Sequence, residues 1–290
     1  MSCRIFSKSN VRAVVTVLSI LILGGLVKNI SAQNKAVTAA KPATAKATAT
    51  IDLTGYWVSI VNEDWRWRMM TPAKGDYASV PLNPEGRRVA DTWDPVKDEH
   101  DGNNCRAYGA ANIMRIPERI HITWANENTL EMDVDAGTQK RLFHFDGSKW
   151  QGGEPQWQGD SVASWEKQVQ RVGFAKTGSD KDGSLHVVTT HMRPGYLRKN
   201  GVPYSKDAVL TEYYDRVEIN GRTYLIVTSV VDDPMYLNDR FITSGQFRLE
   251  PDGAKWNPTA CRPLWPVLGR NSTSTNYGQG TFEPVDHAAK

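Results

Sequence analysis

Cysteine is scarce, with three in 290 residues. Cys3 falls in an N-terminal leader, which leaves Cys105 and Cys261, and neither sits in a Cys-x-x-Cys or His-x-Cys spacing that would argue for a shared metal. The Gly-x-Ser-x-Gly, His-Glu-x-x-His, P-loop and dinucleotide signatures are all absent, so no familiar catalytic motif announces a reaction. A basic patch is missing too. Lys and Arg are dispersed except at Arg66–Arg68, Arg87-Arg88 and Arg198-Lys199, and the net charge of +3 includes the leader, so nucleic acid is not an expected partner.

Long apolar runs are confined to the first residues. Arg4, Lys8 and Arg12 precede an apolar core within Val11–Val27, interrupted past Arg12 only by Thr16 and Ser19, and Ile30-Ser31-Ala32 closes it with small residues. This is the pattern of a secretory signal over residues 1–32. An uncleaved anchor is the alternative, although the run is short against the roughly 20 residues a bilayer crossing needs. Residues 33–50 are a low-complexity Ala/Thr/Lys/Pro stretch with too little apolar surface to offset ordering, and are expected to be a flexible tether. One domain over residues 51–263 and a loose tail over 264–290 complete the expected organisation. In a periplasmic or secreted protein, Cys105 and Cys261 form an even pair that reads as a disulfide, with two free thiols as the alternative. The closed loop of about 156 residues would make that bridge worth about 5 kcal/mol by chain entropy.

What the chain does contain is turn chemistry. Asp146-Gly147, Asp182-Gly183, Asn220-Gly221 and Asp252-Gly253 each separate segments rich in aromatic and β-branched residues. Asx-Gly suits the two-residue type I′ hairpin, whose central positions both need positive φ. The expected fold is all-β: a single antiparallel barrel or strongly curved sandwich with long covering loops. Asn220-Gly221 sets the clearest register, pairing Ile219 with Arg222 and Tyr213 with Thr228, and putting Glu212, Tyr214 and Arg216 together on the other face. Trp65-Arg66-Trp67-Arg68-Met69 alternates aromatic and cationic residues and is expected to be a strand with Trp65, Trp67 and Met69 on one face. Residues 71–111, punctuated by proline and glycine, read as a long cover or binding loop.

Gly55-Tyr56-Trp57 on the first strand resembles the Gly-x-Trp signature of lipocalins and the wider calycin group. That resemblance implies an eight-stranded barrel with the Trp closing one end. It also implies that Arg262 packs across this Trp, and that Cys105–Cys261 ties the C-terminal segment to the wall. Met114-Arg115-Ile116-Pro117-Glu118-Arg119, Asp135-Ala136-Gly137-Thr138-Gln139, Trp157-Gln158-Gly159 and Pro194–Gly201 also resemble an uncharacterised family of secreted bacterial proteins. This second resemblance implies export and one β domain, and carries no activity.

Candidate site residues are polar or aromatic positions inside strand patterns. Glu212 is the candidate base, with Tyr214 on the same strand face, Asp135 as an alternative carboxylate and His191 at a strand-to-loop transition. A carboxylate enclosed by Tyr and Trp would have a raised pKa and could exchange a proton with an apolar ligand. Trp65, Trp67, His121, Trp124, Arg141, His144 and Arg216 are candidate ligand contacts. The histidines and Asp133 or Asp135 have donor types suited to zinc or iron but no ligand spacing, so neither a metal nor an organic cofactor is expected.

Three functions compete. The first is an exported barrel binding a hydrophobic or aromatic small molecule, under the cover of residues 71–111. The second is an isomerase or lyase on the same scaffold, performing isomerisation, dehydration or cyclisation by proton transfer in the cavity. The third is a carbohydrate-binding or envelope structural module with Trp65–Trp67 as platform. No membrane contact is expected unless the leader is retained.

Overall fold

The structure is a computed structural model describing residues 43–147, 152–167 and 183–262. The leader, the start of the tether, Asp182 and the tail lie outside the described residues. Among the described residues no helix is long and apolar enough to cross a membrane.

In chain order the first elements are β1 (Gly55–Ile60), α1 (Trp65–Met69), α2 (Pro84–Ala90), α3 (Pro95–His100), a 3-10 turn at Arg106–Tyr108 and α4 (Ala110–Ile113). There follow β2 (Arg119–Asn126), β3 (Thr129–Val134), β4 (Ala136–Gly137), β5 (Gln139–His144), β6 (Asp160–Lys167) and β7 (Gly183–Thr190). The chain continues with β8 (Gly195–Arg198), β9 (Val202–Tyr204), β10 (Val209–Ile219), β11 (Arg222–Asp232), β12 (Phe241–Glu250) and β13 (Thr259–Ala260). Nine strands close into a barrel in the order β1-β12-β11-β10-β7-β6-β5-β3-β2. The wall is a barrel rather than a sandwich, and has one strand more than the lipocalin resemblance implies.

Asn220-Gly221 behaves as its chemistry demands. Both residues have positive φ, 51° and 71°, and β10 pairs with β11 in the expected register from Ile219↔Arg222 to Val209↔Asp232. Period two then points Leu210, Glu212 and Tyr214 inward, where all three are fully buried. Trp57, Ile120, Met132, Phe143, Val187 and Phe247 join Tyr214 in one contiguous buried cluster, and Leu210 belongs to a second one. Side chains therefore occupy the barrel axis, where the sequence reading places a guest molecule.

Two other Asx-Gly turns do not form hairpins. Past Asp146-Gly147 the chain crosses to the opposite end, because β5 and β6 run parallel through Phe143↔Ser161 and His144↔Val162. After Asp252-Gly253 it turns back but does not pair with β12. It descends outside the wall, where Trp256 packs edge-on to Tyr56 and His121, and β13 pairs in parallel with β4. Long-range packing of an indole and the tether at Cys261 overrides the local turn preference there.

Trp65–Met69 is a short helix, not a strand. Asp64, at φ 51°, starts it, and its carbonyl accepts from the amides of Trp67 and Arg68. On a helical period Arg68 turns inward, while Trp65 and Met69, four residues apart, share the solvent side. Residues 71–111 also contain more regular structure than a loop. Asn83 caps α2 by accepting from the Gly86 amide, and Asp94 caps α3 by accepting from Val96 and Lys97. Each cap precedes proline at the first helical position, where the missing N–H has no partner to lose. These elements and the β8–β9 hairpin cover one end of the barrel; the other end, at Gly55, Trp124 and Ile219, is the mouth.

Candidate functional site

The mouth is built partly from the segment expected to be a tether. Over residues 43–50 the chain folds onto the barrel: the Ala45 amide donates to Asn128 Oδ1 at 2.9 Å, the Lys46 amide to the Glu127 carbonyl at 3.1 Å, and Trp165 Nε1 to the Ala45 carbonyl at 2.9 Å. Backbone hydrogen bonds, not apolar burial, hold this stretch, which composition cannot reveal. Beside it opens a recess of about 960 Å³ lined by Ile51, Asp52, Ile122, Trp124, Arg216 and Glu218 among others. Trp124 sits with Phe145 and Trp165 in an aromatic group, at centroid distances of 5.7 and 6.3 Å. Arg216 Nη2 donates to Glu218 Oε1 at 3.1 Å, and Lys46 faces Glu127 at 4.0 Å. The lining of the recess thus combines the Trp124 indole with both signs of charge, Lys46 and Arg216 against Asp52 and Glu218.

Inside the wall, three expected site residues come together. Arg141 Nη1 donates to Glu212 Oε1 at 3.0 Å and Nη2 to Glu212 Oε2 at 2.5 Å, a two-pronged pair with both side chains fully buried. Nη1 also donates to Tyr214 Oη at 3.2 Å and Nη2 to Thr189 Oγ1 at 3.4 Å, and Thr189 shares a 2.7 Å hydrogen bond with Ser161. The Glu212 carboxylate, against burial, holds Arg141 above its ordinary pKa; burial pushes the Tyr214 phenol well up. The expected cation on this face was Arg216, but it lies toward the mouth; Arg141, from a different strand, meets Glu212.

The remaining expected residues scatter. Asp135 follows β3 at the covered end, where its Oδ1 accepts from the Arg119 amide at 2.8 Å and burial raises its pKa. His191 follows β7 with φ 54° and lies 2.8 Å from Thr190 Oγ1. His121 stacks on Tyr56 outside the wall at 3.9 Å, and His144 lies 3.4 Å from Thr129 Oγ1. Trp65 is 60% exposed, whereas Trp67 turns toward Arg198 at 4.7 Å, so the two indoles form no shared platform. Arg262 lines a small recess with Asp98, Arg106 and Tyr196. Among the described residues no three His, Cys, Asp or Glu side chains converge as a metal site would require.

The covered end also concentrates charge that sequence reasoning missed. Arg68, Arg115, Glu118, Arg198 and Lys199 are all buried. Arg68 Nε donates to the Arg115 carbonyl at 3.0 Å and Nη2 to Ser59 Oγ at 3.1 Å, while Arg115 Nη2 binds Asp64 at 2.7 Å. Among the described residues Glu118 has no hydrogen-bond partner on either oxygen, and burial, with Asp135 adding to it, raises its pKa well above the usual range. Lys199 donates to the Arg68 carbonyl, and burial plus the Arg68 charge push its amine down to about 8. Glu118 could have been found by counting back two from inward-facing Ile120; the burial of Arg198 and Lys199 has no local signal. The Cys105–Cys261 disulfide secures this end. Comparisons with protein-family models, with curated proteins and with solved structures returned no match.

Proposed function

We propose that this chain is an exported binding protein that seats a small aromatic or apolar molecule at the mouth of its barrel, not on its axis. The observation that carries the reading is the recess of about 960 Å³ lined by Trp124 together with Arg216, Lys46, Asp52 and Glu218. That volume lies in the range of small-molecule sites, roughly 300–1,000 Å³. A disulfide is compatible with the oxidising periplasmic or extracellular compartment this function requires. Carriage is favoured over proton-transfer catalysis because both oxygens of Glu212 are engaged by Arg141 and no solvent reaches them.

The test uses 8-anilinonaphthalene-1-sulfonate, an aromatic body with one anionic end, as probe. Its fluorescence should rise saturably with one equivalent of protein. Trp124→Ala should abolish the rise, and Arg216→Glu should weaken binding. Equal binding by the native protein and Trp124→Ala would refute the mouth as the site. Native mass spectrometry of purified protein then identifies any co-purifying molecule.

A further inference from the structure

The tip of the β8–β9 hairpin is polar in sequence yet buried in the fold. Arg198, Lys199 and Asn200 follow one another at 2%, 9% and 0% exposure. Hairpin tips ordinarily face water, so three consecutive polar residues packed inside need partners there. Asn200 Nδ2 finds the carbonyls of Ala73 and Asp76 at 2.9 and 3.0 Å, and Lys199 finds that of Arg68. Arg198 is served on one side only: Nη1 donates to the Ala78 carbonyl at 2.6 Å, while Nε and Nη2 have no hydrogen-bond partner among the described residues.

Those two atoms form one edge of the guanidinium, the edge that grips two oxygens of a carboxylate or phosphate side by side. Among the described residues no carboxylate lies within ion-pair distance of Arg198, although the other buried arginines have one: Arg68 faces Glu63 at 3.7 Å, Arg115 faces Asp64 at 2.7 Å and Arg141 grips Glu212. Asp64 and Asp76 act on Arg198 from further away, but Asp64 is bound to Arg115, and Asp76 to Arg66 at 2.6 Å and Trp67 Nε1 at 3.3 Å. The Trp67 ring lies 4.7 Å from the Arg198 guanidinium and the Phe241 ring 5.9 Å. Arg115 packs on the same Phe241 ring at 5.8 Å, and its Nη1 also has no hydrogen-bond partner among the described residues. Burial and the Arg115 charge pull Arg198 down to about 10, still charged at neutral pH. A buried, uncompensated guanidinium is costly, and a bound anion removes that cost.

We propose that the Nε–Nη2 edge of Arg198, with Arg115 at the same Phe241 ring as the neighbouring cation, binds a small oxyanion bearing a carboxylate or phosphate group. This site lies at the covered end, independent of the mouth.

The test measures thermal unfolding of the full-chain protein in sodium phosphate, sodium acetate and sodium chloride at matched ionic strength. Phosphate or acetate should raise the midpoint saturably beyond chloride, and the stronger of the two identifies the oxyanion class. Arg198→Lys keeps the charge and removes the fork, and should weaken the apparent affinity about tenfold or more. No excess over chloride in the native protein overturns the proposal, as does an unchanged affinity in a folded Arg198→Lys protein. Should Arg198→Lys not fold, Arg115→Lys serves: weakened oxyanion binding supports the proposal and an unchanged response overturns it.

Discussion

Replacing Glu212 by glutamine removes one charge from the two-pronged pair and leaves the Arg141 guanidinium in the barrel core. The pair is sealed at 0% exposure on both sides, with contacts of 3.0 and 2.5 Å, and only neutral groups, the glutamine carbonyl, Tyr214, Thr189 and the Phe143 ring, remain to solvate the cation. Breaking a buried pair by removing one partner costs about 3–5 kcal/mol. A domain of this size loses about 2–4 °C per kcal/mol, so the unfolding midpoint of Glu212→Gln should fall by roughly 6–20 °C. The double replacement Arg141→Met/Glu212→Leu fills similar volume without charge and should unfold within about 1–2 kcal/mol of the native protein, or above it. Denaturant unfolding of the native protein, Arg141→Met, Glu212→Leu and their double replacement gives the coupling directly. A Glu212→Gln protein within about 1 kcal/mol of native stability would refute the reasoning, because an unneutralised guanidinium could not be so cheaply accommodated in that core.

Other expectations follow from the same coordinates. Lys199, held at about 8 in the fold against 10.5 unfolded, leaves the unfolded chain with the extra proton between those values. Stability of the native protein should therefore rise relative to Lys199→Met as pH increases through that window, and denaturant midpoints at pH 7.5 and 10.5 check it. Cys105→Ser/Cys261→Ser opens a loop of 156 residues and should cost up to about 5 kcal/mol, a loss that reduction of the native protein reproduces in calorimetry. Gly201 and Gly221 both have positive φ, but a methyl at Gly201 would overlap the Trp93 ring, whereas Gly221 is open. Gly201→Ala should lose about 1–3 kcal/mol more than Gly221→Ala in urea unfolding.

Sequence legibility followed the range of the interaction. Asn220-Gly221 carries its own φ requirement, so register and the inward placement of Glu212 and Tyr214 could be read from two residues and a period of two. The partner of Glu212 could not, because Arg141 is 71 residues away and reaches it across the barrel. Five alternating residues at Trp65–Met69 fit a strand and a turn and a half of helix equally well; the buried acceptors for Arg68 decided the matter. Asn83-Pro84 and Asp94-Pro95 were helix starts written in plain cap chemistry, hidden by reading every proline as a loop. The mouth segment and the buried hairpin tip were illegible for a shared reason: each is a polar stretch held by hydrogen bonds to partners distant in sequence.

An odd count of strands has a geometric consequence. Direction cannot alternate all the way round a closed ring of nine, so one neighbouring pair must point the same way, and β5 and β6 are that pair. Their ladder matches only two residues on each side, against eleven for β10 and β11. Arg141 projects from β5 and closes on Thr189 of β7 and Glu212 of β10, beyond that seam. The ion pair is thus a cross-tie over the place where the wall has least backbone bonding, and it is there that the barrel would first part.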